Sequence, residues 1–220
     1  MNWSLWRRIP WIDTRSAFVA ATPRNGTLLD LGSSDGQTLC HMAELRPDLR
    51  LASVDIAGAP AQMPPGTSFA RANLESDALP WPDASFDAIT CMHVVEHLRT
   101  MNALWREVAR LLKPGGRVYI ETPGVESVDT PSPPPVLRGK VTVNFYDDPT
   151  HIEPVTIGSL EGAARQVGLT VRQSGRSRNW LFAGAYPLLS LWRRPTRKRY
   201  VAMLHWLGWS AYLVAEKPRP

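Results

Sequence analysis

The stretch TLLDLGSSDG, residues 27–36, joins an apolar segment that ends in an acid to a turn with two glycines. The segment at 27–32 has the length and composition of a buried strand, and a helical pattern follows it. Gly32 and Gly36 allow the backbone of the turn to approach a ligand closely. A turn of this type lies at the carboxyl edge of a parallel sheet, where open α/β folds bind ligands. The stretch therefore predicts a ligand site in an α/β domain.

Outward from this turn, short apolar runs alternate with longer helical patterns, which is typical of a parallel sheet covered by helices. The predicted strands lie at 27–32, 51–56, 67–72, 85–92, 117–122, 169–175 and 210–217, and the predicted helices at 36–46, 100–112 and 156–167. The KPGG sequence at 113–116 predicts a turn after the second of these helices. The proline-rich passage at 130–135 predicts an ordered loop.

The composition predicts one globular domain, because the chain has 220 residues, of which 44% are hydrophobic and 20% are charged. Its cysteines, Cys40 and Cys91, lie far apart, and its beginning lacks the pattern of a secretory signal. We therefore expect a cytoplasmic location.

The two ends of the chain are rich in tryptophan and in basic residues. In the segment 178–209, the apolar runs are interrupted by Pro187 and by RRPTRKR, and each is shorter than the roughly 20 residues of a spanning helix. We predict that 1–12, with Trp3, Leu5 and Trp6, and 178–209 lie on an anionic membrane surface. The alternative that these aromatic side chains cover the sheet edge stays open. Nucleic acid is disfavoured as a partner, because the chain has no N-P-P-Y-type motif for a flipped base.

The acids near the first turn indicate what kind of ligand it binds. Asp55 ends the second predicted strand, where a carboxylate can accept both hydroxyls of a ribose. Ser33 and Ser34 replace glycines of the dinucleotide fingerprint, and Asp30 and Asp35 would repel a pyrophosphate. The site therefore favours a cationic nucleoside ligand, such as an amino-acid sulfonium.

Several motifs in the same order resemble those of class I S-adenosylmethionine-dependent methyltransferases. DLGSSDG at 30–36 is similar to their first motif, D-x-G-x-G-x-G, and departs from it at Ser34. Asp55 matches their second acidic position, and the segments 72–98 and 110–123 resemble their adenine-binding and fifth-strand segments. The wording is nearest to that of the ubiquinone-biosynthesis O-methyltransferases. The resemblance implies a Rossmann-like α/β fold: a seven-stranded, mostly parallel sheet with helices on both faces and an antiparallel last strand.

The resemblance also implies how a single domain at 1–220 is organised. A helical cap at 1–24 would precede a cofactor-binding core at 25–123 and an acceptor-side loop at 124–154, and the segment 178–209 would be an insertion before the last strand. The residues implied to bind S-adenosylmethionine are Asp30, Gly32, Ser33, Gly36, Asp55, Ile56, Asn73, Leu74 and His93. Asp30 would reach the ammonium group through water, Asp55 the ribose, and Asn73 the adenine amino group, with Asp77 as a substitute.

The segment CMHVVEHL, residues 91–98, contains the H-x-x-E-H pattern of one class of zinc peptidase. A peptidase needs this pattern inside a helix, whereas here it begins as a strand ends. Three hypotheses remain: His93 is a general base; His93, Glu96 and His97 bind a divalent metal; or the segment only begins a helix. The ubiquinone-biosynthesis enzymes have E-x-x-E-H here, which can hold a divalent metal. Histidine in place of the first glutamate makes magnesium a poorer fit.

The segment NFYDDPTHIEP, residues 144–154, has a high density of titratable groups in the acceptor-side loop. We predict that His151 and Asp147 join His93 as catalytic residues. The alternative is an ordinary turn with an N-cap. The predicted activity is methyl transfer, most simply to an oxygen atom of a small-molecule, glycan or lipid-linked acceptor. The alternative function is that of a non-catalytic S-adenosylmethionine-binding regulator or partner protein.

Overall fold

The computed structural model describes residues 7–58, 60–191 and 194–220. Within these ranges, seven strands form one sheet in the order β3-β2-β1-β4-β5-β7-β6. The strands are β1 (Thr27–Leu31), β2 (Arg50–Asp55), β3 (Ser68–Arg71), β4 (Phe86–Met92), β5 (Leu112–Pro123), β6 (Thr170–Ser177) and β7 (Ser210–Glu216). Strands β1 to β5 pair in parallel, and β7 lies antiparallel between β5 and β6. The predicted fold class is confirmed.

Helices cover both faces of the sheet in the described part of the chain. They are α1 (Thr14–Ala20), α2 (Gln37–Leu45), α3 (Asn102–Leu111), α4 (Ile157–Gln166), α5 (Trp180–Ser190) and α6 (Arg197–Leu207). Leu104 of α3 and Leu160 of α4 belong to one buried apolar cluster. Phe18 of α1 and Leu39 of α2 belong to another. Because β1, β4, β5 and β7 contribute buried residues to both clusters, the central strands are fixed from either side.

The predicted turn at 113–116 is instead a bulge within β5. Phe86 pairs with Leu112 and Ala88 with Arg117, so four residues of β5 bulge outward opposite one residue of β4. The bulge pairs with the end of β7, because the Gly115 N–H donates to the Lys217 carbonyl over 2.8 Å. The KPGG sequence therefore does interrupt the regular strand pairing, but β5 continues on both sides of it.

The insertion at 178–209 forms the pair of helices α5 and α6, which pack against each other. Helix α5 continues through Pro187, where the sequence predicted an interruption. The Asn179 amide at its start donates to the Asp13 carboxylate over 3.1 Å and thereby attaches the pair to the N-terminal segment. Among the residues described, no helix combines the length and the apolar character needed to cross a membrane.

Candidate active site

The turn after β1 has the backbone conformation that its glycines predict. Gly32 has φ 78° and Gly36 has φ 75°. A Cβ atom on Gly32 would lie 2.2 Å from Cγ2 of Val94, in the segment that follows β4. Only glycine fits at 32, since any side chain would push the first turn away from the end of β4.

Ser34 also has a left-handed backbone, with φ 48°, at the position where the family motif has glycine. Its N–H donates to Oδ2 of Asp55 over 2.8 Å. A non-glycine residue in this conformation costs roughly 1–2 kcal/mol. The hydrogen bond to Asp55 holds Ser34 in place and links the first two turns of the sheet.

Asp55 orders the turn after β2 as well. Its Oδ1 accepts the N–H groups of Ala57 and Gly58, each over 2.9 Å. An ionised carboxylate has about four acceptor positions. Three backbone bonds therefore leave one position for a ribose hydroxyl. The neighbouring Ile56 side chain is 66% exposed, which suits an apolar residue that a bound adenine would cover.

Asp30 lies buried at the end of β1, where its Oδ1 accepts the Thr90 hydroxyl over 2.7 Å. Burial raises the pKa of Asp30 to about 7; the neighbouring Asp55 carboxylate adds to this, whereas the Thr90 hydrogen bond opposes it. Ser33 is also buried, and its N–H donates to the Val54 carbonyl over 3.1 Å. Asp30 is thus a partly protonated acid that a nearby cation would ionise.

The predicted adenine-binding residues form a compact turn after β3. Oδ1 of Asn73 accepts the Glu75 N–H over 2.9 Å, and the Asn73 N–H donates to Asp77 over 2.8 Å. Leu74 is buried in the core beside this turn. Because a carbonyl oxygen has two lone pairs, Asn73 keeps one for the adenine amino group.

His93, the first residue after β4, lies between two fully buried carboxylates. Its Nδ1 is 3.3 Å from Oε1 of Glu96, and its Nε2 is 3.5 Å from Oε1 of Glu121. Its backbone is left-handed, with φ 57°, and its N–H donates to the Glu121 carbonyl over 2.8 Å. The imidazole is therefore fixed at the point where β4 and β5 end together.

These carboxylates change the expected titration of His93. Burial alone would lower the pKa of His93, but the hydrogen bonds and charges of Glu121 and Glu96 raise it to about 9. Burial raises the pKa of Glu121, but the Arg15 guanidinium lowers it by more, so the pKa lies well below the usual range. Glu121 therefore stays ionised. Arg15 Nε donates to Oε2 of Glu121 over 2.8 Å. The two carboxylates thus hold the pKa of His93 above that of an ordinary histidine, even though Arg15 Nη2 lies 3.3 Å from its Nε2, and this makes His93 a poorer neutral base than the sequence predicts.

His151 has the orientation of a base. Its Nδ1 lies 2.6 Å from the Phe145 carbonyl oxygen, so Nδ1 carries the proton and Nε2 carries the lone pair. Nε2 is 4.0 Å from Oε1 of Glu96 and 4.0 Å from Oδ2 of Asp148. The ring is only 5% exposed and lies against Phe145, with the ring centroids 4.5 Å apart.

His97 is oriented in the same way. Its Nδ1 lies 2.9 Å from the Thr150 hydroxyl oxygen, which itself donates to Asp148 over 2.6 Å. The His97 Nδ1 must therefore donate, which leaves its Nε2 with the lone pair. The ring centroids of His97 and His151 are 4.8 Å apart. Two imidazole lone pairs are thus held close to each other.

Glu96 completes this cluster. Its Oε2 accepts the Thr122 hydroxyl over 3.0 Å, whereas its buried Oε1 lies 3.3 Å from His93 Nδ1 and 4.0 Å from His151 Nε2. One ligand atom each of Glu96, His97 and His151 lies within 4.8 Å of the others. The metal hypothesis from the sequence had His93, Glu96 and His97 as candidate ligands, whereas the structure groups Glu96 and His97 with His151. The segment forms a short 3-10 helix, Val95–His97, and α3 begins only at Asn102.

Asp147, predicted as catalytic, caps a short 3-10 helix, Phe145–Asp147. Its Oδ2 accepts the N–H groups of Val143 and Asn144 over 2.9 and 2.8 Å. Burial raises the pKa of Asp147, but hydrogen bonds from Ser132 and these two N–H groups lower it overall. Asp147 therefore has the capping role that the turn alternative predicts, whereas His151 lies in the cluster with Glu96 and His97.

A cavity of about 790 Å³, here called the polar cavity, opens over the cluster. It is lined by His93, Glu96, His97, His151, Asp147, Asp148, Arg138, Lys140, Arg197, Val201 and Trp209, among others. The site residues predicted from the sequence do not include Arg15, Glu121 and Trp209. An acid within the otherwise apolar strand RVYIETP was a signal for Glu121, but nothing in the sequence pairs it with Arg15.

Residues 5–174 match the family model of the methyltransferase domain, and the chain therefore belongs to this family. A solved S-adenosylmethionine-dependent methyltransferase from Mesorhizobium loti superimposes with a TM-score of 0.63 over 91% of this chain and 96% of that chain, at 20% identity. The uncharacterized methyltransferase YcgJ of Bacillus subtilis is 29% identical over 141 residues, which cover 61% of this chain and 53% of YcgJ.

A ubiquinone biosynthesis O-methyltransferase of Xanthomonas oryzae pv. oryzae is 53% identical over 38 residues, 17% of this chain and 16% of that protein. The chain thus spans about half the length, or less, of these curated relatives. The predicted family, that of methyltransferase domains, is confirmed.

Proposed function

We propose that the protein transfers a methyl group to an oxygen atom of a small-molecule or lipid-linked acceptor in the polar cavity. The observation that carries this proposal is His151, whose Nδ1 is held by the Phe145 carbonyl and whose Nε2 is free at the cavity wall. A hydroxyl acceptor must lose a proton during transfer, and a positioned imidazole can take it.

The residues of the site divide the work as follows. S-adenosylmethionine supplies the activated methyl group when bound. Asp30 attracts its ammonium group, Asp55 accepts a ribose hydroxyl, and Gly32 brings the backbone close enough for contact. His151 Nε2 takes the acceptor proton, while the buried pairs of His93 keep the end of β4 rigid. Positioning and exclusion of water supply much of the rate in such a displacement.

Glu96, His97 and His151 also fit a divalent cation, because one ligand atom of each lies within 4.8 Å of the others and Glu96 is fully buried. Two imidazoles and one carboxylate favour zinc, manganese or iron over magnesium. A cation held there would lower the pKa of an acceptor hydroxyl. His151 Nε2 serves either as a ligand or as a base, so cation binding and the base role exclude each other.

The test is transfer from methyl-labelled S-adenosylmethionine to fractions of cell extract, with mass spectrometry to locate the added methyl group. We expect an O-methylated product and at least about a 100-fold lower rate for His151→Gln. Calorimetry on the same variants should show cofactor binding kept in His151→Gln and lost in Asp55→Ala. Methylation of nitrogen or carbon, or full activity of His151→Gln, would contradict the proposal. Cofactor binding without any methylated product would favour the non-catalytic alternative.

We also propose that the protein works in the cytoplasm, at the inner face of the membrane, through α5 and α6. These helices expose Trp180, Leu181, Leu188, Leu191, Trp206 and Leu207. The basic residues Arg194, Arg197 and Lys198 are exposed beside them. An exposed apolar surface next to basic charge suits anionic lipid. Trp3, Leu5, Trp6, Trp192 and Arg193, which the sequence assigned to the same contact, lie outside the described residues.

A further inference from the structure

Another cavity, of about 1170 Å³, lies between α1, α2, α5 and α6 and is here called the apolar cavity. Its apolar lining comes from Val19, Met42, Leu45, Leu181, Phe182 and Leu189. A space of this size and lining is suited to a flexible hydrocarbon chain, because burial of each methylene is favourable by about 0.8 kcal/mol.

The apolar and polar cavities adjoin each other at two places. Arg197 and Val201, one turn apart on α6, line both of them. Met92 lines the apolar cavity and the next residue, His93, lines the polar cavity. Both spaces therefore meet α6 and the end of β4, so one ligand can occupy the two with its middle at Arg197.

The charge at this junction is positive. Arg138, Lys140 and Arg197 are exposed and line the polar cavity, and Arg197 Nε donates to the Lys140 carbonyl over 3.2 Å. The acids of the same cavity already have partners within the protein: Asp147 accepts backbone N–H groups, Asp148 accepts the Thr150 hydroxyl, and the fully buried Glu96 faces His93 and accepts the Thr122 hydroxyl. The groups left to meet a ligand at the mouth are cations, which favour an anion such as a phosphate monoester.

We propose that the acceptor is an anionic amphiphile, a lipid-linked precursor with a phosphate group. Arg138, Lys140 and Arg197 bind the phosphate, the apolar cavity holds the hydrocarbon chain, and the polar cavity places the acceptor hydroxyl at His151. This inference rests on the proposed function and adds the class of substrate. It also explains why the insertion that builds α5 and α6 is both apolar and basic.

The probe is dodecyl phosphate, used below its micelle concentration and measured by calorimetry against the purified full chain. We expect binding at least about 100-fold tighter than that of inorganic phosphate, and weaker binding of octyl phosphate by up to about four-fold per methylene removed. Dodecyl maltoside, which has the chain without the charge, should bind at least about 10-fold more weakly. Equal binding of all four compounds would overturn the proposal.

Variants separate the two cavities. Arg197→Gln should weaken dodecyl phosphate binding by about 10-fold, whereas Arg165→Gln, at an exposed arginine of α4, should leave it unchanged. Ala185 also lines the apolar cavity, so Ala185→Trp places a large side chain there and should abolish the dependence on chain length. A chain-length dependence that persists in Ala185→Trp would mean adsorption to the outer surface and would overturn the proposal.

The outcome is independent of the test for methyl transfer. If dodecyl phosphate fails to bind while labelled methyl still reaches a product in a His151-dependent manner, the substrate class is wrong and the proposed function stands. If dodecyl phosphate binds but methyl transfer does not depend on His151, the cavity binds amphiphiles and His151 is not the base. Cofactor binding, measured by calorimetry in each variant, verifies that the protein is folded.

Discussion

At the scale of single residues, the first turn contains a strained position that can be relieved. Ser34 has φ 48°, a conformation in which glycine has no steric cost. We predict that Ser34→Gly raises the free energy of unfolding by up to about 1 kcal/mol, measured by urea denaturation. The Asp55 bond comes from the backbone N–H and should survive. Ser76→Gly, in an exposed turn, is the control, and a loss of stability in Ser34→Gly would contradict the account.

Asp30 gives a prediction on pH. The ordinary pKa is 3.8 and the folded pKa is about 7, so between these values the folded protein binds more protons than the unfolded chain. The free energy of unfolding should therefore fall as pH rises from about 4 to 7 and then level off. Asp30→Asn should remove this fall and be more stable than the wild type at pH 8, by roughly 2–4 kcal/mol, but not at pH 4.

Cofactor binding at Asp30 should show the opposite trend. A bound ammonium group favours the carboxylate, so wild-type affinity should rise as pH passes through about 7. Calorimetry across this range should show a flat and weaker affinity for Asp30→Asn. An affinity that rises equally in both proteins would show that a different group titrates.

The cluster of Glu96, His97 and His151 predicts a particular pattern of metal binding. If the cluster holds a cation, zinc or manganese followed by calorimetry should bind the wild type, and Glu96→Gln should weaken binding by at least about 10-fold. If the wild type binds neither metal, His151 Nε2 keeps its role as the base. His93→Gln is the discriminating variant, because His93 faces Glu121 as well as Glu96. If His93→Gln loses the metal and His151→Gln keeps it, the set predicted from the sequence is correct instead.

At the scale of elements, α1 is joined to β5 by a charge pair that the sequence did not reveal. Arg15 is the guanidinium partner of the fully buried Glu121. We predict that Arg15→Met destabilises the fold by about 3 kcal/mol in thermal or urea unfolding, because it leaves a buried carboxylate without its main partner. The double variant Arg15→Met with Glu121→Leu should recover part of this loss. A double variant less stable than Arg15→Met alone would contradict the explanation.

This pair shows what kind of information the sequence lacked. Periodicity and turn residues predicted the seven strands within one to three residues at most ends, because alternation of apolar runs is a local property. The contacts of His93 depend on Arg15 and Glu121, which are 78 and 28 residues away along the chain. Hydrogen bonds over such separations are decided by packing. Residue types therefore placed His93 beside the end of β4, but they did not predict the buried carboxylates that raise its pKa.

The loop at 124–154 also has contacts that the sequence did not predict, but for a different reason. Its acids and histidine were recognised as a group, yet the structure gives Asp147 to a cap and His151 to the cluster. Asp147 and His151 both line the polar cavity, so composition alone does not tell which of them contacts a ligand. The Glu96 carbonyl fixes the outcome by accepting the Ile152 N–H over 2.8 Å.

At the scale of the whole molecule, the exposed side of α5 and α6 predicts association with anionic vesicles. Leu188 and Leu191 are 65% and 75% exposed, with basic residues close by at 194–198. Wild-type protein should float with vesicles that contain phosphatidylserine at low salt, and much less at high salt, because each basic contact is screened. Leu188→Glu with Leu191→Glu should abolish flotation, since it removes apolar contact and adds repulsion.

Val136→Glu is the matched control, because Val136 is 58% exposed but lies in the loop after β5, outside the helix pair. It should float as the wild type does. The charge-reversed variant should still bind S-adenosylmethionine, because the turns at Gly32 and Asp55 belong to other elements of the sheet. If flotation survives in the leucine variant and is insensitive to salt, the protein contacts the vesicles through a surface other than α5 and α6.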